Sequence, residues 1–322
     1  MDRSAVISLL GNDWDAVQAL MRSALRSGVG LLDKTNSSIL DHSGKQLRPM
    51  LCLLAARACG GSCHDSLVFA AAAEMLHNAT LLHDDVADSS KERRGLPTAF
   101  SLFGPSHAVL IGDFWLARAV ELVLSAQRQS KVVKLFSKTL TDLSEGEMLQ
   151  LEKAYSADTS FEDYYRIIYC KTASLFESAC VSGAISADAP QEYVEAARAY
   201  ANAVGLAFQI KDDILDYNGD ESLGKPVGVD LKEGKITLPL LGAMKLAGCD
   251  GEIRDLVKAI PGKPENCAAV RDFVLSNGGV EYAIRCLDSY VEKAVEALAV
   301  LPPSPEKEAL ETLARYNSSR TV

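Results

Sequence analysis

Two short stretches concentrate the residues that could do chemistry. Residues 83–95 read HDDVADSSKERRG, and residues 211–225 read KDDILDYNGDESLGK. Each carries D-D-x-x-D near the end of a long helical pattern, followed by a polar loop with basic residues and glycine. On an α-helix, residues four apart share a face, one turn of about 5.4 Å apart. Asp84 therefore stands over Asp88, and Asp212 over Asp216. Like charges so placed destabilise an isolated helix. A divalent cation bridging them reverses the sign, and hard carboxylate oxygens select Mg2+ or Mn2+ over zinc. One such cluster is ordinarily a solvated helix end. Two, each embedded in an apolar helix and each followed by Lys or Arg, argue for metal.

The basic residues complete the pattern. Arg93 and Arg94 follow the first cluster, and Lys225 and Lys235 the second. GKQLRP at 44–49 adds Lys45 and Arg48 on a turn begun by Gly44, while Lys171-Thr172 interrupts the apolar periodicity of YYRIIYCKTASLFESA. A lysine there needs an anion if it is buried; otherwise it faces solvent. Arginine suits bidentate phosphate contacts, and lysine supplies a point charge. The six aspartates of the two clusters nearly cancel these seven cations, and two diphosphates would add roughly −6. About three divalent ions would restore balance. Diphosphate held by Mg2+ on one side, and by direct cation contacts on the other, is the chemistry this composition fits.

The order of these motifs resembles the trans (E-type) polyprenyl diphosphate synthases. The resemblance rests on GKQLRP, EMLH at 74–77, HDDVADSSKERRGLPT at 83–98, GDFWLARA at 112–119, GEMLQL at 146–151, YCKTASLF at 169–176 and FQIKDDILDYNGDESLGKPVGVDLKEGKITLPLL at 208–241. It spans roughly residues 40–245. It implies an all-α, isoprenoid-synthase-type bundle of antiparallel helices around a deep central cavity. By the resemblance, Asp84, Asp88 and Asp212 are the principal Mg2+ ligands, with Asp85, Asp213 and Asp216 close by or acting through water. These six and Lys171 form the expected catalytic set. Isopentenyl diphosphate would lie against Gly44, Lys45, Arg48, His77 and Arg94. The allylic diphosphate, farnesyl or geranyl, would be bound by Arg93, Lys171, Thr172, Gln209, Lys225 and Lys235. On the residues alone, His77 and Phe208 read as core side chains, and only the motif match brings them near substrate. The implied reaction ionises the allylic diphosphate, adds the isopentenyl double bond to the cation and loses a proton. That fits a chain without a convincing Ser/His/Asp or Cys/His set. A homodimer is expected by the same resemblance.

In that family a bulky aromatic at the fifth or fourth position before the first cluster stops elongation early. Here those positions are Ala79 and Thr80, both small. A long, octaprenyl-like product is therefore expected, with a shorter farnesyl or geranylgeranyl product as the alternative. A terpene cyclase would lack GKQLRP, and a non-catalytic partner subunit would have lost the aspartate clusters. A binding module would not consume isopentenyl diphosphate.

The elements that must position these residues are helical. Apolar residues recur at three- and four-residue spacing over 66–83, 105–126, 160–185, 191–217 and 279–300, the signature of amphipathic helix. Breaks fall at 60–64, 89–97, 187–190, 218–234 and 302–305, none of them long and polar enough for an interdomain linker. A single all-α domain over 1–322, with about ten to fourteen helices, is expected, and loops 89–99 and 218–234 are candidate lids. The chain has 322 residues, 48% apolar, so a large core is available. A net charge of −10 argues against nucleic-acid binding. The N-terminal stretch lacks the long apolar run of a leader, and Glu74, His77 and Asn78 break the most apolar segment, so no membrane span is expected. A cytoplasmic protein, passing its product to membrane enzymes, is the default. The eight cysteines read as reduced thiols; Cys59-x3-Cys63-His64 has no second ligand pair for zinc.

Overall fold

The computed structural model describes residues 3–93, 95–218 and 228–319. Its elements run α1 (Arg3–Leu10), α2 (Asn12–Ala24), α3 (Gly30–Asp41), α4 (Leu47–Ala58), α5 (His64–Ala87), β1 (Glu92–Arg93), β2 (Leu96–Pro97), α6 (Ala99–Phe103), α7 (Pro105–Ser125) and α8 (Gln129–Ser156). They continue with α9 (Phe161–Ile168), a π-helical turn (Tyr169–Ala173), α10 (Ser174–Ser186), α11 (Gln191–Asn218), α12 (Val229–Lys232), α13 (Leu238–Ala247), α14 (Gly251–Ala259), α15 (Asn266–Ser276), α16 (Gly279–Ala297) and α17 (Pro305–Ser319). The helices exceed the number expected because short pieces such as α6 and α12 are too brief to carry an apolar period. The chain groups into two compact units. One comprises 1–136, 178–197 and 300–310; the other comprises 137–177, 198–299 and 311–322.

In the first unit α5 packs against α7, α4 and α2. Its stretch from Val68 to Leu76 is buried on every face, including the alanine run 70–73. A helix apolar all round is one enclosed by neighbours, and small alanines let those neighbours approach. Its start is fixed by Asp65, buried at 2% exposure. That carboxylate accepts the backbone N–H groups of Gln127 and Arg128 at 3.0 and 2.9 Å and pairs with the Arg128 guanidinium. A buried charge so fully hydrogen-bonded is structural. With the N-terminal half locked in this way, the C-terminal turn carries the first aspartate cluster to the end of the buried segment.

In the second unit the core gathers Ile210, Ile214 and Tyr217 of α11 with Leu231, Ile236, Leu240, Leu241, Val274, Ala283 and Leu287. Positions 210, 214 and 217 form the inward stripe of α11 at helical spacing. Asp213 lies on that same stripe, whereas Asp212 lies a 100° step away. The α9 helix begins at a capping box in which Ser160 and Asp163 exchange side-chain and backbone bonds, each at 3.0 Å. Among the described residues, no helix is long and apolar enough to cross a membrane. All eight cysteines are free thiols, and the Cys63 thiol donates to the Ser186 carbonyl.

Candidate active site

The two aspartate clusters are built alike in one respect. In each, the second aspartate turns inward and is consumed by its own unit. Asp85 is buried at 5% exposure and takes the Arg93 guanidinium at 2.8 Å. Burial raises the proton affinity of the Asp85 carboxyl, opposed by the Arg93 charge. Asp213, at 2% exposure, accepts the Tyr164 hydroxyl at 2.6 Å and the Gln209 amide at 3.0 Å. Burial, reinforced by the charge of nearby Asp230, pushes the Asp213 carboxyl up to about 8. Asp216 caps the segment after the second cluster, accepting the backbone N–H groups of Val229 and Asp230 at 3.0 and 3.2 Å. Asp84 and Asp212, by contrast, are half-buried, and Asp88 is exposed. The Asp88 N–H donates to the Asp84 carbonyl at 2.8 Å, so the two side chains leave one turn of the same helix.

The segment after the first cluster is a minimal antiparallel ribbon, with Glu92 opposite Pro97 and Arg93 opposite Leu96. No strand signal marks these residues, because two per strand are too few for an alternating pattern. The ribbon folds Arg93 back onto Asp85, and the Thr98 hydroxyl secures its base by donating to the Ser90 carbonyl at 2.7 Å. A cavity of about 200 Å3 adjoins it, lined by Asn78, Leu82, Asp85, Arg93 and Leu102 among others. Ala79 is buried at 1% exposure. Thr80 is half-buried and donates its hydroxyl to the His77 carbonyl at 2.8 Å, and His77 is itself half-buried. On the GKQLRP turn Lys45 is exposed, and Gly44 and Arg48 are half-buried. The turn is braced by Arg3, which donates to the Lys45 carbonyl, and by paired amides of Gln18 and Gln46.

Lys171 and Thr172 do not sit in an uninterrupted α-helix, as the apolar periodicity suggests. They occupy the π-helical turn between α9 and α10. An extra residue in the turn shifts the register of α10 against α9, and such bulges recur at functional sites. Two glycines make room for it. A Cβ on Gly146 would stand 2.5 Å from the Cys170 Cβ, and one on Gly205 would stand 2.5 Å from the Ala173 Cα. Lys171 pairs with Glu147 at 2.5 Å. The Thr172 hydroxyl donates to the Gln209 side-chain carbonyl at 2.9 Å, so Thr172, Gln209, Asp213 and Tyr164 form one hydrogen-bonded chain. Tyr164, Lys171, Gln209 and Asp213 border a cavity of about 140 Å3 with Gln150, Lys153, Asp230 and Lys235. Lys235 holds Glu233 at 2.5 Å. Arg94 and Lys225 lie outside the described residues.

Tyr164, Glu147 and Asp230 join the site, and the sequence assigns none of them a role. Glu147 and Asp230 fall inside motifs that carry the resemblance, GEMLQL and the 208–241 stretch, but nothing there says what they touch, and Tyr164 lies far along the chain from Asp213. Burial pushes the Asp230 carboxyl up to about 6, with the Asp216 charge adding to it and Lys235 opposing.

No three His, Cys, Asp or Glu side chains converge to enclose an ion among the described residues. Within each unit the outward acids offer oxygen only, Asp84 and Asp88 in the first and Asp212 in the second, while Asp85, Asp213 and Asp216 are tied into their own unit. That fits a hard cation sharing its shell with phosphate and water, as Mg2+ does, rather than one caged by protein.

An all-α scaffold with two D-D-x-x-D helix ends, each attended by lysine or arginine, defines a trans-prenyltransferase of the isoprenoid-synthase type. The Polyprenyl synthetase family model matches residues 29–275, and the chain belongs to that family. It is 40% identical over 319 residues to the all-trans-nonaprenyl-diphosphate synthase (geranyl-diphosphate specific) of Rhodobacter capsulatus, covering 98% of this chain and 97% of that one. It is 39% identical over 323 residues to the octaprenyl diphosphate synthase of Escherichia coli K12, covering 99% of each. A solved polyprenyl synthase from Caulobacter crescentus, complexed with calcium and isoprenyl diphosphate, superimposes with a TM-score of 0.90 at 35% identity, covering 100% of this chain and 98% of that one.

Proposed function

We propose that this enzyme condenses isopentenyl diphosphate with an allylic diphosphate, head to tail and repeatedly, to give a long-chain all-trans polyprenyl diphosphate in the octaprenyl range. The observation that carries the length is the pair Ala79 and Thr80 before the first cluster, with Ala79 fully buried. Neither side chain can block a growing chain. Full-length similarity to octaprenyl and nonaprenyl synthases favours the same range over farnesyl or geranylgeranyl.

Asp84, Asp88 and Asp212 would hold Mg2+, about three ions per site, with Mn2+ a workable substitute. When bound, the metal supplies charge to stabilise the departing diphosphate. The chain's own residues do the rest. Arg93, Lys171, Lys225 and Lys235 bind the allylic diphosphate and stabilise the charge that develops on its bridging oxygen. Thr172 on the π-turn and Gln209 on α11 orient it. Gly44, Lys45, Arg48, His77 and Arg94 hold isopentenyl diphosphate. Exclusion of water by apolar walls keeps the carbocation from quenching, and the diphosphate leaving group takes the proton.

Residues 1–322 act as a single catalytic domain on this account. It works as a homodimer, supported by family membership and by the exposed apolar Leu110, Val120 and Leu124 on α7; a monomer in sedimentation would exclude that. Eight free thiols favour the reducing cytoplasm. The deciding experiment incubates the protein with farnesyl diphosphate, isopentenyl diphosphate and Mg2+ and sizes the products by chromatography. Products ending at twenty carbons would refute the long-chain assignment.

A further inference from the structure

Two lysines assigned to the allylic diphosphate hold glutamates in this structure: Lys171 holds Glu147, and Lys235 holds Glu233. The first pair is the more confined, with 26% of each side chain exposed. Glu147 follows Gly146 on α8, where a Cβ would stand 2.5 Å from the Cys170 Cβ of the π-turn. Lys171 meets the Glu147 Oε2 atom at 2.5 Å, and the Gln150 amide lies 3.5 Å from Oε1. The glutamate is thus held from both sides and aimed at the lysine. A half-buried ammonium is costly without a counter-charge, and Glu147 supplies one when no anion is bound. A diphosphate that takes Lys171 must displace this carboxylate, and afterwards lies near a like charge.

We propose that Glu147 is a positioning residue that holds Lys171 and competes with diphosphate for it. This rests on the assignment of Lys171 to the diphosphate made above. The competition weakens the grip on every diphosphate, including inorganic pyrophosphate left after each condensation, so the spent leaving group departs before the next round. Binding energy common to substrate and product would only retain product.

The test is calorimetric titration of the full-length protein with inorganic pyrophosphate in saturating Mg2+, for wild type, Glu147→Gln, Lys171→Met and the double variant. Glu147→Gln keeps the shape and the Gln150 contact while removing the charge; Glu147→Ala serves if the glutamine variant does not fold. Expected is pyrophosphate affinity about twofold to fivefold tighter in Glu147→Gln, weaker in Lys171→Met, and no tighter in the double variant than in Lys171→Met alone. The KM for farnesyl diphosphate falls alongside. Unchanged or weaker affinity in Glu147→Gln overturns the inference, as does equal tightening in the Lys171→Met background, which would mean a general charge effect. Unchanged affinity in Lys171→Met alone instead overturns the assignment of Lys171 to the diphosphate.

Discussion

Replacing Tyr164 by Phe removes one oxygen and nothing else from the second unit. That hydroxyl donates to Asp213 across 2.6 Å in a site where both side chains are almost fully buried. Stripping one partner from a buried polar group costs about 1–3 kcal/mol. Asp213 keeps the Gln209 amide, which places the expected loss near the lower half, about 1–2 kcal/mol. For a chain of this size that corresponds to a fall in Tm of about 2–4 °C. The pH dependence adds a second signature. The folded Asp213 carboxyl is pushed from its ordinary 3.8 up to about 8, so between those values the folded state binds more protons than the unfolded state. Stability contributed by this group is therefore present at acid pH and lost as pH rises through that window. The Tyr164 bond lowers the carboxyl's proton affinity, so Tyr164→Phe raises it further and makes the loss extend to higher pH. Circular-dichroism melts from pH 4 to 9 in a chelator check both effects. Because Asp213 shares Gln209 with Thr172, KM for the allylic diphosphate should rise several-fold. A variant melting within a degree of wild type at pH 7, with unaltered KM, would refute the idea that this network positions the π-turn.

Three other outcomes are expected. If product grows past position 79 as proposed, Ala79→Tyr should shorten it by several isoprene units on reversed-phase chromatography; a product as long as the parent's would show that this position is no plug. Asp84→Ala should cost at least about a hundredfold in turnover while leaving the far-ultraviolet spectrum unchanged, and a loss of helical signal would reassign it to structure. Gly205→Ala brings a Cβ within 2.5 Å of the Ala173 Cα, forcing the π-turn to shift; destabilisation of about 1–3 kcal/mol is expected, read as a lower denaturant midpoint.

The helices and the two clusters are legible in the chain because both obey short-range rules. Apolar spacing gives α5, α7 and α11 to within a few residues, and D-D-x-x-D is a local string. The features that leave no such trace are set by long-range partners. Nothing near Asp213 announces that a tyrosine 49 residues earlier will bind it, and the approach of α8 to Lys171 depends on the missing side chain of Gly146. The π-turn is hidden for a related reason: one extra residue leaves the apolar period nearly intact while changing which way Lys171 and Thr172 point. The ribbon at 92–97 is too short to leave a pattern. The distinction within each aspartate cluster is half visible, since Asp213 falls on the Ile210–Ile214–Tyr217 stripe that periodicity already marks as inward.

That distinction bears on how such a site can be re-engineered. Libraries that randomise all three acids of a cluster together would mostly sample broken scaffolds, because the middle acid fastens a ribbon in one case and a neighbouring helix in the other. Diversity confined to 84, 88 and 212, the acids proposed to hold metal, would leave the frame intact, and grafts of foreign acidic motifs should keep the native acids at 85, 213 and 216.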